Sequence, residues 1–306
     1  MHTLIAGTGA VGGFLGWRLI KAGWPVTLLA RGATADAIEA RGLRVRSDDR
    51  EDAVRAPVVR DLGAPPEDGF DLVIAAVKMP DLPALAAALH DALGAEGTVV
   101  AVQNGLGAEE VLAARLGAAR VVGGVAYVGV DCPEPGLVRH VTGGRLTLST
   151  LPGIDMVRAA RLSLLFEAAG IPCRLADDLR ALRWSKLVWN ASFSPVTAIA
   201  GVTLGEAVDD PRLLGVVRAA MEEVAAVARA AGVRLRDDVV ERNLDLRPDF
   251  RAALTSMLQD VRRGRPTEIE AILGEVLRHA AARGVPVPTL QTLYSQCAAL
   301  DRPRPA

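Results

Sequence analysis

Three polar residues recur at a spacing of four within the largely apolar segment RWSKLVWNASFSP (183–195). They are Lys186, Asn190 and Ser194. Because four residues are slightly more than one helical turn, the three side chains would lie along one face of a helix. A lysine there could hold or release a proton, with an amide and a hydroxyl beside it to donate and accept hydrogen bonds. The spacing therefore predicts a polar helix face suited to proton transfer.

The lysine stands out because the chain uses arginine for nearly all of its positive charge. Of the 35 basic residues, only Lys21, Lys78 and Lys186 are lysines. An arginine could serve most surface roles, so a retained lysine indicates a need for a compact, titratable ammonium. An apolar surrounding would lower its pKa towards the range useful in proton transfer. The alternative is a polar stripe at a domain surface, with Asn190 and Ser194 capping or turning the chain before the next proline.

A glycine-rich segment, GTGAVG, lies near the start of the chain between an apolar run (2–7) and a stretch with helical spacing (10–22). In a strand-to-helix connection, Gly7 permits a tight turn, Gly9 lets the backbone approach a pyrophosphate, and Gly12 allows close packing of helix on strand. The N-terminus of the following helix would offer free N–H groups to the phosphates. The segment predicts a dinucleotide site; the alternative is an ordinary glycine-rich turn.

The end of the second apolar run, PVTLLAR (25–31), bears on the choice of dinucleotide. An acidic residue there would accept hydrogen bonds from the ribose hydroxyls of NAD. The chain has Arg31 instead, with no Asp or Glu beside it before Asp36. A guanidinium suits a 2′-phosphate, so we predict NADPH as the cofactor. The alternative is that Arg31 is one more surface arginine.

Two further polar side chains end apolar runs in this half of the chain: Lys78 follows FDLVIAAV, and Asn104 follows GTVVAVQ. In an open parallel sheet the carboxyl ends of the strands border the ligand crevice, so both side chains are expected to face the cofactor. For Asn104 the alternative is a simple turn, since Asn-Gly is a common turn dipeptide. For Lys78 the alternative is a surface position.

These residues need a scaffold that brings distant parts of the chain together. Up to residue 176, strand-like apolar runs alternate with helical stretches, and the last of these runs, within 120–150, could form an antiparallel extension. From residue 177 onwards the pattern is helical, as in 212–232, with no convincing strand. We therefore predict an α/β protein: an N-terminal Rossmann-type doubly wound sheet (1–176), then an all-α domain (177–306), with a cleft between them.

The composition excludes several classes of function. The net charge is −1 with acidic and basic residues interspersed, which leaves no electrostatic footprint for nucleic acid or an anionic membrane. No apolar segment approaches the roughly 20 residues that span a bilayer, and the first apolar run lacks the charged start of a signal peptide. Cys132, Cys173 and Cys297 lack CxxC spacing, and the histidines lack metal-ligand spacing. We therefore expect a cytoplasmic protein without a metal site, nucleic-acid partner or membrane partner.

The later helical region contains two further polar residues, Ser256 and Glu268, on either side of a break at 264–266. Pro266 suits the first turn of the helix that follows the break. By spacing alone, each of the two polar residues is typical of a solvated helix surface. The break leaves their relative orientation open.

These motifs together resemble the ketopantoate reductase (2-dehydropantoate 2-reductase) family over nearly the whole chain. The shared segments are GTGAVG, LLAR, AVK (76–78), QNG (103–105), WSKLVWNASFSPVTAI (184–199) and the long segment 255–294. The last two are the most specific, because many other Rossmann enzymes share the first. The resemblance implies NADPH-dependent reduction of 2-dehydropantoate to pantoate, as in pantothenate and coenzyme A biosynthesis, by a monomer or homodimer.

The resemblance also implies a role for each matching residue. Lys186 would be the proton donor during hydride transfer to the ketone of the substrate. The substrate's carboxylate or hydroxyl groups would be bound by Asn104, Asn190, Ser194 and Ser256. The cofactor would be held by Gly7, Thr8, Gly9, Ala10, Val11, Gly12, Arg31, Lys78, Asn104 and Glu268.

One position departs from the family's best-known form, which has an asparagine where this chain has Ser194. A serine still offers a hydroxyl but has a shorter reach, which leaves the exact substrate open. One alternative function is therefore a reductase of the same fold that acts on another 2-keto acid or carbonyl compound, such as a lactone. Another is a non-catalytic NADPH-binding protein, against which the retained Lys186 argues.

Overall fold

The apolar runs of the first half of the chain belong to a ten-stranded sheet, which also includes more polar strands, in the computed structural model, which describes residues 1–48 and 50–301. The strands are β1 (Thr3–Ala6), β2 (Val26–Leu29), β3 (Leu43–Ser47), β4 (Arg50–Val54), β5 (Val58–Val59), β6 (Phe70–Ala75), β7 (Leu93–Ala101), β8 (Val121–Glu134), β9 (Leu137–Thr150) and β10 (Cys173–Leu175). Across the sheet they follow the order β4-β3-β9-β8-β7-β6-β1-β2-β5, and β10 pairs with β9. The pairs from β5 through β2, β1, β6 and β7 to β8 are parallel. β8 and β9 are antiparallel, which confirms the predicted extension.

Helices cover both faces of this sheet, which explains why its central strands read as continuous apolar runs. The alternation of side chains along β1 shows the arrangement: Ile5 packs in one cluster with Phe14, and Leu4 in another with Leu85. The predicted doubly wound α/β domain is therefore confirmed. The helices of this part of the chain are α1 (Ala10–Lys21), α2 (Gly32–Arg41), α3 (Leu82–Ala92), α4 (Ala108–Leu116) and α5 (Val157–Ala168).

The second half of the chain is helical, as predicted, and the described residues after β10 contain no further strand. Its helices pack around a single apolar cluster that includes Leu187, Met221 and Leu273. Among residues 1–48 and 50–301, no helix is both long and apolar enough to cross a bilayer. The helices are α6 (Leu179–Ala200), α7 (Leu204–Asp209), α8 (Pro211–Ala230), α9 (Val239–Leu244), α10 (Ser256–Arg262), α11 (Glu275–Ala281) and α12 (Pro288–Leu300), with a π-helical turn (Glu270–Gly274) before α11.

The internal contacts divide the chain into two units whose boundary is not a single point. The first unit contains Met1–Gln103 and Gly107–Leu179. The second contains Asn104–Leu106 and the chain from Arg180 onwards. Leu106 packs against the apolar cluster of the second unit. The tripeptide that begins with Asn104 is therefore built into the second unit, although both of its flanks belong to the first.

Candidate functional site

The glycine loop joins β1 to α1 and is tightly packed except at one of its three glycines. Gly7 has a φ of +102°, and a Cβ there would lie 2.8 Å from the Val77 backbone nitrogen. At Gly12 a Cβ would lie 2.0 Å from the Gly7 carbonyl oxygen. At Gly9 no atom lies within 4 Å of an added Cβ. Gly9 therefore presents bare backbone to open space, as the approach of a ligand requires.

The start of α1 has the features of an anion-binding site. Gly9 is its N-cap in extended conformation, makes no side-chain capping bond, and is followed by a first turn without acidic residues. The Gly13 amide donates to the Gly9 carbonyl at 2.8 Å. The amides of the three preceding residues, Ala10, Val11 and Gly12, therefore have no carbonyl partner within the helix. These N–H groups and the positive end of the helix dipole fit a dinucleotide pyrophosphate.

The end of β2 presents an arginine and no available carboxylate. Arg31 is exposed, and its guanidinium makes no hydrogen bond or ion pair with the described part of the chain. Asp36, the nearest acidic residue after it, accepts a hydrogen bond from Arg60 at 2.7 Å. The buried Thr8 hydroxyl donates to the Leu29 carbonyl at 3.3 Å and so ties the glycine loop to the same strand end.

Lys78 is partly buried at the start of a 3₁₀ turn (Met79–Asp81), shortly after β6 ends. The chain leading to it is held by Gln103, whose Nε2 donates to the carbonyls of Ala75 at 2.9 Å and Val77 at 3.2 Å. This is the segment against which the glycine loop packs. Gln103 therefore supports the position of both the loop and Lys78.

The Asn104–Gly105 dipeptide forms a turn, and its asparagine also reaches α6. Gly105 has a φ of +86°. The Asn190 Nδ2 donates to the Asn104 Oδ1 at 3.4 Å, a long and weak hydrogen bond. Neither side-chain amide makes another hydrogen bond among the described residues. Most of the donor and acceptor capacity of this pair is therefore available to a ligand.

We expect Gly105→Ala to lower the free energy of unfolding by about 2 to 4 kcal/mol, because a side chain there combines strain with overpacking. An added Cβ would lie 2.1 Å from the carbonyl oxygen of Ala271, which belongs to the π-helical turn. Chemical denaturation measures the loss. Gly107→Ala is the matched control, because Gly107 also has a positive φ, +91°, but no atom lies within 4 Å of its added Cβ. Equal losses in the two variants would contradict a steric role for the close approach at Gly105.

The Lys186, Asn190 and Ser194 side chains lie on one helix, α6, as their spacing predicts. This helix continues through Pro195, so the alternative in which Asn190 and Ser194 cap or turn the chain is wrong. Asn190 is 6% exposed and Ser194 is 2% exposed. The Ser194 side chain makes no hydrogen bond within residues 1–48 and 50–301. A nearly buried hydroxyl of this kind is suited to a ligand that brings its own partner group.

The ammonium of Lys186 has an unusual environment. Burial, and to a smaller extent the nearby positive charge of Arg183, lower the pKa of Lys186 from 10.5 to about 7, although the carboxylate of Glu268 acts to raise it. Arg183 is itself 5% exposed. At neutral pH both the charged and the neutral form of this lysine are therefore populated, which is the condition for efficient proton transfer.

Ser256 and Glu268 occupy different kinds of position in the second unit. Ser256 is exposed and is the first residue of α10. Glu268 is partly buried and lies just before the helix that opens with the π-helical turn. The prediction that Pro266 lies in the first turn of this helix is wrong: its segment is non-helical, and Asp301 holds the next residue through the Thr267 amide at 3.1 Å and hydroxyl at 2.8 Å.

The structure therefore places the candidate residues in two groups. The glycine loop, Arg31 and Lys78 lie in the first unit. The second unit brings Asn104 to Asn190 and places Glu268 close enough to Lys186 to raise the pKa of the lysine. Across residues 1–48 and 50–301, no group of three or more His, Cys, Asp or Glu could hold a metal ion.

Sequence reasoning missed two contributors to this arrangement. Arg183 precedes Lys186 by three residues on α6, so helical spacing alone could have identified it as a neighbouring charge. Gln103 offered a weaker signal, as a polar residue at the end of a buried run. Arginine is by far the commoner basic residue of this chain, so Arg183 is not distinctive in type.

Comparisons with known proteins match both halves of the chain. The family model described as ketopantoate reductase PanE/ApbA matches residues 3–153, and the model of its C-terminal part matches residues 178–301. A 2-dehydropantoate 2-reductase from Mesorhizobium japonicum is 35% identical over 319 residues, covering 96% of each chain. Solved structures are also similar over the full length, and two illustrate this. One is a PanE/ApbA family ketopantoate reductase from Ralstonia eutropha JMP134, with 34% identity, a TM-score of 0.87 and 98% coverage of both chains.

The other is a 2-dehydropantoate 2-reductase from Geobacter metallireducens GS-15, with 32% identity and a TM-score of 0.90. It covers 98% of this chain and 99% of its own. The similarity thus extends through the doubly wound sheet and the helical half alike, which confirms the resemblance seen in the motifs. The chain belongs to the ketopantoate reductase family.

Proposed function

We propose that the chain reduces the ketone of a 2-keto acid, with 2-dehydropantoate as the first candidate substrate and pantoate as the product. Membership of the family and full-length similarity to enzymes named for this reaction support the substrate class. The observation that carries the proposal is the state of Lys186. It has a pKa of about 7 and lies on the same helix face as Asn190 and Ser194.

The chemistry assigns a step to this lysine. A reduced nicotinamide dinucleotide, when bound, supplies a hydride to the ketone carbon. Negative charge then develops on the keto oxygen, where the ammonium of Lys186 stabilises it and transfers a proton from Nζ. A lysine suits this step because, unlike arginine, it can release the proton. The carboxylate of Glu268 favours the ammonium form and so increases the fraction of the donor that is protonated before the step.

Substrate recognition falls to the polar groups around this lysine. The side-chain amides of Asn104 and Asn190, which are only weakly paired with each other, can each donate a hydrogen bond to the substrate's carboxylate or accept one from its hydroxyl groups. The hydroxyls of Ser194 and Ser256 add two further donors. A short hydroxyl at Ser194 leaves more room than an asparagine would, which favours a bulkier or differently branched keto acid as the second candidate substrate.

The cofactor that we propose is NADPH. The glycine loop, with the open position at Gly9, would hold the pyrophosphate, and Arg31 would bind the 2′-phosphate. Lys78 and Asn104 would lie along the cofactor, and Glu268 would approach the nicotinamide ribose. The support for NADPH over NADH is that the arginine at the end of β2 lacks an internal partner, whereas the nearest carboxylate is bound to Arg60.

We expect Arg31→Ala to raise the dissociation constant for NADPH by about 10- to 100-fold. This is the change that follows from losing the binding free energy of one charge-assisted hydrogen-bonding group. Affinity for NADH should change little, because NADH lacks the 2′-phosphate. Fluorescence titration of the two dinucleotides measures both constants. Arg41→Ala is the control, since Arg41 is an exposed arginine at the other end of α2. Equal weakening of NADPH and NADH by Arg31→Ala would contradict the assignment.

The reaction itself is tested by following NADPH oxidation at its absorbance band with 2-dehydropantoate and a panel of other 2-keto acids and lactones. The expected result is the highest kcat/KM with 2-dehydropantoate. A higher value with another keto acid would replace the substrate and keep the reductase chemistry, with Ser194 as the residue to vary first. NADPH binding without turnover of any compound would contradict the reductase and favour a non-catalytic binding protein.

A further inference from the structure

Two buried threonines connect the two helices that carry the serine hydroxyls. The Thr197 Oγ1 lies 2.8 Å from the Thr255 Oγ1, and the two residues are 0% and 3% exposed. Thr197 follows Ser194 by three residues on α6. Thr255 directly precedes Ser256 as the N-cap of α10. The pair thus joins α6 to α10 immediately beside both serines.

The surrounding groups determine which hydroxyl donates. Thr255 already accepts a hydrogen bond from the Leu258 amide at 3.3 Å, as an N-cap does. Thr197 lies 2.8 Å from the Phe193 carbonyl, which can only accept. One order satisfies every group: Leu258 N–H donates to Thr255, Thr255 donates to Thr197, and Thr197 donates to Phe193. The chain of bonds therefore runs from the first turn of α10 into the backbone of α6.

The backbone of α6 has one hydrogen bond fewer at this point. Pro195 has no N–H, so the Ala191 carbonyl loses its helical partner in the turn that contains Ser194. The Thr197 hydroxyl spans this turn, with the Phe193 carbonyl at 2.8 Å and the Ser194 carbonyl at 3.3 Å.

Backbone bonds that do not involve the hydroxyls join the start of α7, which follows α6, to the segment that precedes α10. The Leu204 amide donates to the Ala253 carbonyl at 3.2 Å, and the Gly205 amide donates to the Arg251 carbonyl at 2.8 Å. Loss of the hydroxyl pair should therefore shift the two helices locally and leave the fold in place.

We propose that Thr197 and Thr255 are positioning residues that set the separation between the Ser194 and Ser256 hydroxyls, and thereby the affinity for the keto acid. The proposal rests on the proposed function, in which these two serines bind the substrate. Neither threonine touches the reacting atoms. Their removal should act on substrate binding and leave dinucleotide binding unchanged.

The first test is Thr197→Val, which keeps the shape of the side chain and removes the hydroxyl. We expect the KM for the keto acid to rise about tenfold, the equivalent of roughly one hydrogen bond, because the Ser194 and Ser256 hydroxyls are no longer held at the separation that the substrate needs. The kcat should fall less than about threefold, and the dissociation constant of NADPH should not change. Thr197→Ser, which restores the hydroxyl, should return the KM to near its original value.

Ser192→Ala is the matched control for general loosening of α6. Ser192 is 0% exposed on the same helix, and its hydroxyl makes the same kind of bond, to the Val188 carbonyl at 2.9 Å, without a partner on α10. We expect a comparable fall in the thermal midpoint and an unchanged KM. A rise in KM as large as that of Thr197→Val would overturn the proposal.

The coupling to Ser256 separates positioning from a merely structural effect. In a Ser256→Ala background, Thr197→Val should raise the KM much less than in the original protein, since the group that it positions is absent. Additive effects would overturn the proposal. An original protein that turns over no keto acid would overturn both this inference and the proposed function, whereas turnover with an unchanged KM in Thr197→Val would overturn the inference alone.

Discussion

Replacing Lys186 with methionine should lower the rate of keto acid reduction by at least about 10³-fold, because both the proton donor and the charge opposite the developing oxyanion are lost. Methionine keeps the length of the side chain and suits the buried surroundings. The dissociation constant for NADPH should stay within about threefold of its original value, since we place the lysine at the ketone and not at the cofactor phosphates. Single-turnover NADPH oxidation and fluorescence titration measure the two quantities separately.

Lys21→Met is the control for this prediction. Lys21 is one of the other two lysines, and it is exposed and paired with Asp52 at 2.5 Å. Its loss should leave turnover unchanged. A large loss of NADPH affinity in Lys186→Met would place the lysine at the cofactor, and retained turnover would remove it from the chemistry altogether.

The pKa of Lys186 also sets the pH dependence of the reaction. Reduction requires the ammonium form, whose fraction falls as the pH rises through about 7, so kcat/KM for the keto acid should decline across this range. Oxidation of the hydroxy acid requires the neutral amine and should increase over the same range. The residual activity of Lys186→Met should lack both trends. A flat profile for the original protein between pH 6 and 9 would contradict the assignment of the donor.

Burial of the Lys186 ammonium also lowers the free energy of unfolding. Because its pKa is about 7 in the folded protein and near 10.5 in the unfolded chain, the unfolded chain binds the extra proton between these pH values. The unfolding free energy contributed by this group therefore rises with pH across that window and is lowest below pH 7. Lys186→Met should raise the thermal midpoint more at pH 6 than at pH 9. An equal rise at both values would indicate that the lysine is not desolvated.

A second large effect is expected at the glycine loop. Gly12→Ala should destabilise the first unit by about 1 to 3 kcal/mol and abolish dinucleotide binding, because its Cβ would overlap the Gly7 carbonyl oxygen. Gly9→Ala should leave the thermal midpoint unchanged, since no atom lies within 4 Å of the added Cβ. It should nonetheless weaken NADPH binding at least about tenfold, because the methyl group occupies the space that the pyrophosphate needs.

Thermal unfolding and NADPH titration distinguish these two variants. Gly215→Ala is the control: Gly215 is exposed on α8 with no atom within 4 Å of an added Cβ. It should raise stability by up to about 1 kcal/mol through helix propensity and leave NADPH affinity unaltered. Unchanged NADPH binding in Gly9→Ala would contradict a pyrophosphate site at this loop.

The parts of the fold that could be predicted are those in which local pattern and burial agree. β1, β2, β6 and β7 read as continuous apolar runs because helices cover both faces of the sheet. The β3–β4 hairpin was missed for the opposite reason. Its strands are held across the pair by Arg44, Arg46 and Glu51, with an Arg46–Glu51 distance of 2.6 Å. These charged side chains interrupt the apolar pattern that predicts a strand.

The helix through Pro195 shows where a local rule fails. A proline removes one helical bond and normally ends or kinks a helix, which left a cap or turn open as an alternative. In the structure α6 continues through Pro195, and the adjacent Val196 is buried in the core of the second unit. Tertiary packing compensates for the missing bond, and no local window contains that information.

The candidate site likewise has features that follow from local spacing and others that depend on contacts between distant parts of the chain. The row of Lys186, Asn190 and Ser194 on α6 could be predicted from their spacing of four, because a single helix carries all three. The bond between Asn104 and Asn190 joins residues 86 apart in the chain, and only the folded second unit brings them together. The low pKa of Lys186 likewise depends mainly on how completely the fold buries the ammonium, which a sequence pattern does not specify.

The assignment of Asn104–Leu106 to the second unit limits how this protein can be cut or recombined. A fragment that starts at Arg180 would lack the Leu106 side chain from its core and the Gly105 backbone that packs against Ala271. A chimaera joined at the same point would instead receive these three residues from the donor of its first half. Exchange of the complete second unit between relatives therefore requires two segments, the tripeptide and the chain from Arg180 onwards, and three junctions.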